Sequence, residues 1–173
     1  SKENCHVCFS VKSKNKKIKY LNKNLKQKVT QPGQRIAIDL LIPNKDKINL
    51  TAGINAAIIL VDAYSRFIIV EYVKNFTEEH LMDMVNIILV SYNLKPTKCI
   101  ADKQSAFKTI NFKLFLAKLG CKIDLVPRNR HAEFNGLVER SIGSLRPMAR
   151  AALMTSKLDK SFWYFAIKFA AFI

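Results

Sequence analysis

Residues 128–155, RNRHAEFNGLVERSIGSLRPMARAALMT, decide how this chain folds. Asn135-Gly136 is a turn signal, and a long helical pattern follows it. Leu137, Ile142, Leu145, Ala149 and Leu153 recur at steps of three to five residues, near the helical period, and are expected to pack inward. Glu139 falls in the first turn or so, where the helix dipole favours a carboxylate. Arg146 and Arg150 stand seven and eleven residues further on. At about 100° per residue both return to within roughly 20° of Glu139. One helix face therefore starts with a carboxylate and continues with guanidinium groups. On periodicity alone the bland reading, a solvated face with cheap surface ion pairs, is favoured. The sharper reading, a metal-binding acid beside a phosphate-binding track, needs further acids from elsewhere in the chain.

Working outward, Gln31-Pro32-Gly33 breaks the chain and opens its globular part. Residues 34–42 read as a strand bearing Asp39, with Pro43 behind it. Residues 55–61 are nearly all apolar and read as a buried strand; 62–66 turn, and 67–73 form a third strand, giving an antiparallel meander. Residues 78–92 read as an amphipathic helix with Thr77 as its N-cap. A short strand over 97–101 ends at Asp102. Residues 105–119 read as a helix closed by Gly120, and 121–126 as a fifth strand. A last helix is expected over 158–173, with Phe162, Trp163, Phe165, Ala166 and Phe169. Its pattern still runs where the sequence stops, as expected of a fragment. Three strands followed by alternating helices and strands predict an α/β fold, a mixed five-stranded sheet with helices on both faces.

The 173 residues are enough for one ordinary domain, and 49% hydrophobic residues suit a globular one. Lys plus Arg number 29 against 13 for Asp plus Glu, a net charge of +16. Such a charge favours polyanions, with nucleic acid or an anionic membrane surface as candidates. No apolar run is long enough to span a bilayer and no secretory signal opens the chain; of the two candidates nucleic acid is the expected partner, and no membrane partner is expected. Four cysteines without a signal suggest reduced thiols. Residues 1–30 form a basic arm, with nine Lys, including Lys12, Lys14, Lys16 and Lys17, against one acid. It reads equally as a phosphate-touching tether, an import patch or a solubilising linker. Cys5-His6-Val7-Cys8 has the spacing of half a zinc site, with bystander thiols an equal alternative. Residues 31–173 are expected to form the core.

Asp39 and Asp102 both end strands in this reading. If those strands are neighbours, the two carboxylates converge, and Glu139 reaches the same point from its helix. Clustered like charges raise one another's pKa, and a divalent cation resolves the repulsion. Oxygen ligands of this kind suit Mg²⁺ or Mn²⁺, and two such ions serve phosphodiester chemistry. Asp62 reads as structural and paired with Arg66. Glu71, Asp83 and Asp124 have no evident partner, and His131 reads as a loop residue.

Several motifs in order resemble the integrase of copia-type LTR retrotransposons. They are Cys5-x-x-Cys8 followed by basic residues, Ile38-Asp39-Leu40 with Pro43, the run Leu60-Val61-Asp62-Ala63-Tyr64-Ser65-Arg66, Asp102, Asn135-Gly136-Leu137-Val138-Glu139-Arg140, Ala149-Arg150-Ala151 and Phe162-Trp163. The resemblance spans Cys5 to the end. It implies an RNase H-like fold and a catalytic, metal-holding triad of Asp39, Asp102 and Glu139, and the step of thirty-seven positions from Asp102 to Glu139 fits the family spacing. It implies 3′-end processing and strand transfer of element cDNA into target DNA, with water or the cDNA 3′-hydroxyl attacking phosphorus in line. Two Mg²⁺ or Mn²⁺ ions, Zn²⁺ on Cys5 and Cys8 as the tail of an HHCC module, and a homo-oligomer follow from it. So does a nuclear destination after cytoplasmic particle assembly. Arg140, Arg146, Arg150 and the arm lysines are the expected DNA contacts.

The sequence departs from the family at Gln104, Ala106 and Phe134, where glycine, glutamate and glutamine are usual, and at Pro147 inside the helix. These changes motivate the alternative of a catalytically eroded or domesticated DNA-binding and assembly module. An RNase H-type RNA nuclease shares the triad and ranks last.

Overall fold

The computed structural model describes residues 29–43, 53–102, 106–126 and 136–173. Five strands make one sheet: β1 (Arg35–Leu41), β2 (Ala56–Asp62), β3 (Ile68–Val73), β4 (Lys98–Asp102) and β5 (Lys122–Val126), in the order β3-β2-β1-β4-β5. β1, β2 and β3 pair antiparallel, while β4 runs parallel to β1 and β5 parallel to β4. The described residues also form four α-helices: α1 (Glu78–Ser91), α2 (Ile110–Lys118), α3 (Gly136–Ser156) and α4 (Trp163–Phe172).

Alternation of side chains across a strand sorts the core into two layers. Ile36, Ile38, Ile58, Leu60, Cys99 and Ala101 face α1 and α2, where Leu81, Val85, Ile88, Phe112 and Leu116 meet them. Ala37, Leu41, Ala57, Ile59, Val61 and Ile100 face α3 and α4. Every residue of β2 is buried, which explains its unbroken apolar run: covered on both sides, it has no polar face to show.

α3 buries Val138, Ile142, Leu145 and Ala149 at steps of four, three and four. The expected inward residues Leu137 and Leu153 sit at the edge of that stripe, half-buried. Pro147 lies within a helix that runs on through it. The backbone bond it forgoes would have ended on the carbonyl of Gly143, which is exposed, where water can take the place of the missing N–H.

Local capping chemistry redraws two of the expected helices. Residues 105–119 do not make one helix: a 3₁₀ turn at Ala106–Lys108 precedes α2. The Thr109 hydroxyl accepts from the Phe112 N–H at 3.3 Å, starting α2 afresh. Gly120, at φ 73°, closes it. The N–H groups of Cys121 and Gly120 donate to the carbonyls of Leu116 and Ala117, the six-to-one and five-to-two bonds of a glycine-capped helix end. Leu158 is not helical either. α3 ends at Ser156, Lys157 takes φ 56°, and Asp159 caps a 3₁₀ turn, Lys160–Phe162, ahead of α4.

Asp62 is structural, as expected, but its partners are different. It is 3% exposed. Its carboxylate accepts from the Gly33 N–H at 3.0 Å, the Ser65 N–H at 2.8 Å and the Ser65 hydroxyl at 2.5 Å. Arg66 contributes its backbone N–H to the Asp62 carbonyl. Burial raises the Asp62 carboxyl, but the bonds from Ser65, Gly33 and Tyr64 outweigh burial and leave it below its ordinary value. Gly33 has φ 75°, and a Cβ there would stand 3.3 Å from Leu94 Cδ2, so glycine suits this close approach. Two acids without an evident partner in the sequence acquire one: Asp124 pairs with Lys98 across β4 and β5 at 2.5 Å, and Glu71 with Lys168 of α4 at 3.0 Å.

Candidate active site

β1 and β4 are neighbours, and their parallel register fixes where their acids stand. The pairing runs Arg35↔Lys98, Ile36↔Cys99, Ala37↔Ile100 and Ile38↔Ala101. Asp39 and Asp102 each stand one residue beyond the last of these pairs, on strands that run about 4.8 Å apart. β1 does not end at Asp39; it continues to Leu41, held there by β2 through Leu40↔Ile58 and Leu41↔Ala57. Asp102 is the final residue of β4, opposite Val126 of β5.

The two acids also share a face. Asp39 lies between Ala37 and Leu41, and Asp102 two residues after Ile100. Those three neighbours belong to the core layer beneath α3 and α4. Glu139 stands in the first turn of α3, the helix that covers this face. It is the exposed neighbour of the buried Val138. All three acids thus stand on the α3 side of the sheet. Asp39 and Asp102 are partly buried. The Asp39 carboxylate accepts from the Leu40 N–H at 2.8 Å, which orients one of its oxygens.

Placement on one face is not yet a ligand set. Among the described residues no three His, Cys, Asp or Glu side chains are gathered in metal-holding positions. Carboxylates with no cation between them repel. The donor chemistry nevertheless suits a hard divalent cation: three carboxylates, all oxygen donors, with no described His or Cys beside them to favour a softer metal.

Arg146 and Arg150 are exposed on the same stripe of α3 as Glu139, and no described residue pairs with either. Arg140 is exposed too, but its Nε donates back to the Gly136 carbonyl at 2.6 Å, which folds it onto the first turn of its own helix. Cys5, Cys8, Lys12, Lys14, Lys16, Lys17, Lys103, Gln104, His131 and Phe134 lie outside the described residues. Ala106, one of the departures from the integrase pattern, is exposed and opens the 3₁₀ turn before α2. Sequence reasoning missed the Lys98–Asp124 pair, which sits on the α3 side of β4 and β5 below Asp102. Only the strand register brings those two residues together, so no local signal announced it.

No helix among the described residues is long and apolar enough to cross a membrane. No protein-family profile matches the sequence, and no curated protein matches it. Among solved structures, the catalytic core domain of HTLV-2 integrase, determined in complex with magnesium in a trimeric form, matches with a TM-score of 0.61 at 19% identity, covering 82% of this chain and 84% of that one. At that identity the likeness establishes the fold: a mixed five-stranded sheet flanked by helices, the RNase H-like fold of an integrase catalytic core.

Proposed function

We propose that this chain, built on the fold of an integrase catalytic core, is the core of a copia-type LTR retrotransposon integrase. It would be a polynucleotidyl transferase that processes the 3′ ends of element cDNA and joins them to target DNA. One observation carries the reading: Asp39 and Asp102 stand one step past the last β1–β4 pair, on the face that α3 covers with Glu139 in its first turn.

Asp39, Asp102 and Glu139 are the residues that would hold two Mg²⁺ or Mn²⁺ ions. Bound there, such ions activate the attacking oxygen and stabilise the leaving oxygen of a phosphodiester. The strand register holds the two aspartates level with each other. Glu139 arrives at the positive end of α3, where the helix dipole favours its charge. Arg146 and Arg150 supply charge-assisted bonds to phosphate on the same stripe as Glu139, and Arg140 joins them if it releases the Gly136 carbonyl. The +16 charge and the lysines of the arm add salt-dependent attraction. Zinc on Cys5 and Cys8, a homo-oligomeric assembly, and action in the nucleus after cytoplasmic particle assembly complete the proposal.

The test is Asp102→Asn assayed for strand transfer with Mg²⁺ and with Mn²⁺. Activity should disappear while DNA binding survives. A native protein no more active than the variant would end the enzymatic reading. The alternative, an eroded integrase-derived module that binds DNA or supports assembly, draws on Gln104 and Ala106, where the sequence departs from the integrase pattern. Calorimetry separates the two: Mg²⁺ binding that vanishes in Asp39→Ala belongs to the enzyme, and no Mg²⁺ binding belongs to the module.

A further inference from the structure

The end of the sheet away from Asp39 and Asp102 is built as one surface. Phe67, Asp62, Arg35, Lys98 and Lys122 stand nearly level across the five strands. The Asp62 N–H donates to the Phe67 carbonyl at 3.0 Å, Asp62 pairs with Ile36 beside Arg35, and Arg35, Lys98 and Lys122 follow in register. At about 4.8 Å per strand the row runs roughly 19 Å. It lies about 13 Å down β1 and β4 from the two aspartates. Backbone bonds lock the turns behind it. The Gln34 carbonyl accepts from the Thr97 N–H at 3.0 Å, and the Thr97 carbonyl from the Lys122 N–H at 2.9 Å. Asp62 ties Gly33 to Ser65. A surface held in this way loses little freedom when something binds it.

Its charge is one-sided. Residues 29–35, 62–67, 92–98 and 118–122 carry six cations, Arg35, Arg66, Lys95, Lys98, Lys118 and Lys122, against one acid, Asp62. Asp124, further along β5 from Lys122, is a second acid and pairs with Lys98. With both acids ionised, this end keeps a surplus of four positive charges. Arg66, Lys95 and Lys122 are exposed, and no described side chain forms an ion pair with them. Arg66 holds φ 68°, so the turn carries a cation where glycine would fit more easily. The charge of residues 1–28, nine lysines against one acid, is joined to the fold here, at Val29.

Three aromatic rings stand open beside the cations. Tyr64, Phe67 and Tyr92 keep 53%, 53% and 41% of their surface in solvent. Phe67 and Tyr92 meet at 5.9 Å and 55°, tilted, so that neither covers the other's face. Tyr92 caps the end of α1, while the cation row belongs to the side of the sheet that α3 and α4 cover. A ligand that meets both must cross the rim of the sheet, where Tyr64 and Arg66 stand in the turn. Rings beside cations suit a single strand of nucleic acid, whose bases stack on the rings while its phosphates meet the cations. A duplex keeps its bases inside and would leave the rings unused. An anionic bilayer suits the charge, but such binding scales with apolar area, and Leu119 is the one large aliphatic side chain exposed in these segments.

We propose that this end of the sheet binds single-stranded nucleic acid, with bases against Tyr64, Phe67 and Tyr92 and phosphates against Arg35, Arg66, Lys95 and Lys122. The site uses none of the acids of the catalytic reading, and stands or falls apart from it.

The experiment titrates the whole chain, in EDTA, against fluorescein-labelled oligothymidylate, oligouridylate and a duplex of the same length, read by anisotropy. Tyr64→Ala with Phe67→Ala should weaken single-strand binding about tenfold or more. It should leave duplex binding and the slope of log affinity against log salt unchanged. Arg66→Ala with Lys122→Ala should weaken single-strand binding too, and lower that slope by about 1.4. The tighter of the two single strands names the sugar the site prefers. If the double ring variant does not melt cooperatively, Tyr64→Ala alone, at an exposed ring, decides by the same readings. Three results would overturn the proposal. Single-strand binding could be absent or unmoved by the ring substitutions, which would leave only the general attraction of a +16 chain for polyanions. Duplex binding could fall equally in the ring variant, which would remove stacking from the account. Phosphatidylserine vesicles could bind where the oligonucleotides do not, in a manner the ring substitutions abolish, which would give the surface to a membrane.

Discussion

Asp62 closes β2, Asp39 lies further along the neighbouring β1, and they differ in what surrounds the carboxylate. Asp62 faces Ile36 near the start of β1; Asp39 faces Ile59 near its end. Asp62 is sealed from water and tied by Gly33 and Ser65 to two separate turns. Asp39 is partly exposed, bonded to the N–H of its neighbour Leu40, and level with a second aspartate on the next strand. A carboxylate saturated by donors from its own chain has little left to offer an ion, and its value lies in holding turns together. Position along a strand is thus a poor guide to the role of an acid. The donors around it, and the acids it shares a face with, are better ones.

The same substitution at the two positions should therefore fail in opposite ways. Asp39→Asn should lower Mg²⁺-dependent strand transfer by about a thousandfold and leave the urea midpoint of unfolding near that of the parent. A large loss of stability instead would make Asp39 a second Asp62. Asp62→Ala should strand the buried N–H of Gly33, untie the Ser65 turn, and cost about 1–3 kcal/mol in urea unfolding, with DNA binding retained. Acid sharpens the contrast. The Asp62 carboxyl lies below its ordinary value of 3.8 in the folded chain. The stability it contributes is complete above that value and is lost as pH falls through the lowered one. A pH series of melts should show a loss in that window which Asp62→Ala lacks. The smallest effect belongs to the stripe on α3. Arg150→Ala should reduce the slope of log affinity for duplex DNA against log salt by about one, with stability unchanged because the side chain is exposed.

The sequence was most legible where pattern and burial coincide. The apolar run of β2 and the stripe of α3 each follow from a face that has to be covered, and the order of strands and helices along the chain leads to a mixed five-stranded sheet. Legibility failed where a single polar side chain intervened. Thr109 caps a new helix inside what reads as one continuous pattern, and Asp159 with Lys157 ends the helical run before Leu158. In both places a short-range bond outcompetes apolar periodicity. The site was legible in part. Asp39, Asp102 and Glu139 could be expected near one another only if their strands were neighbours; β1 and β4 are, but the shared face came from the register. The partners of Asp62 and Asp124 depend on registers and turns that no local pattern encodes.

The β1–β4 register has a consequence for how such a site tolerates change. Strand pairing is digital: it shifts only by whole residues, and a slip of one step turns a side chain to the opposite layer. The alignment of Asp39 with Asp102 therefore has no half-way condition. Substitutions that loosen the layers around it should leave the two aspartates abreast until the ladder itself lets go. A lineage of such chains could drift far in its interior while the geometry at the mouth of the sheet stays as it was first laid down.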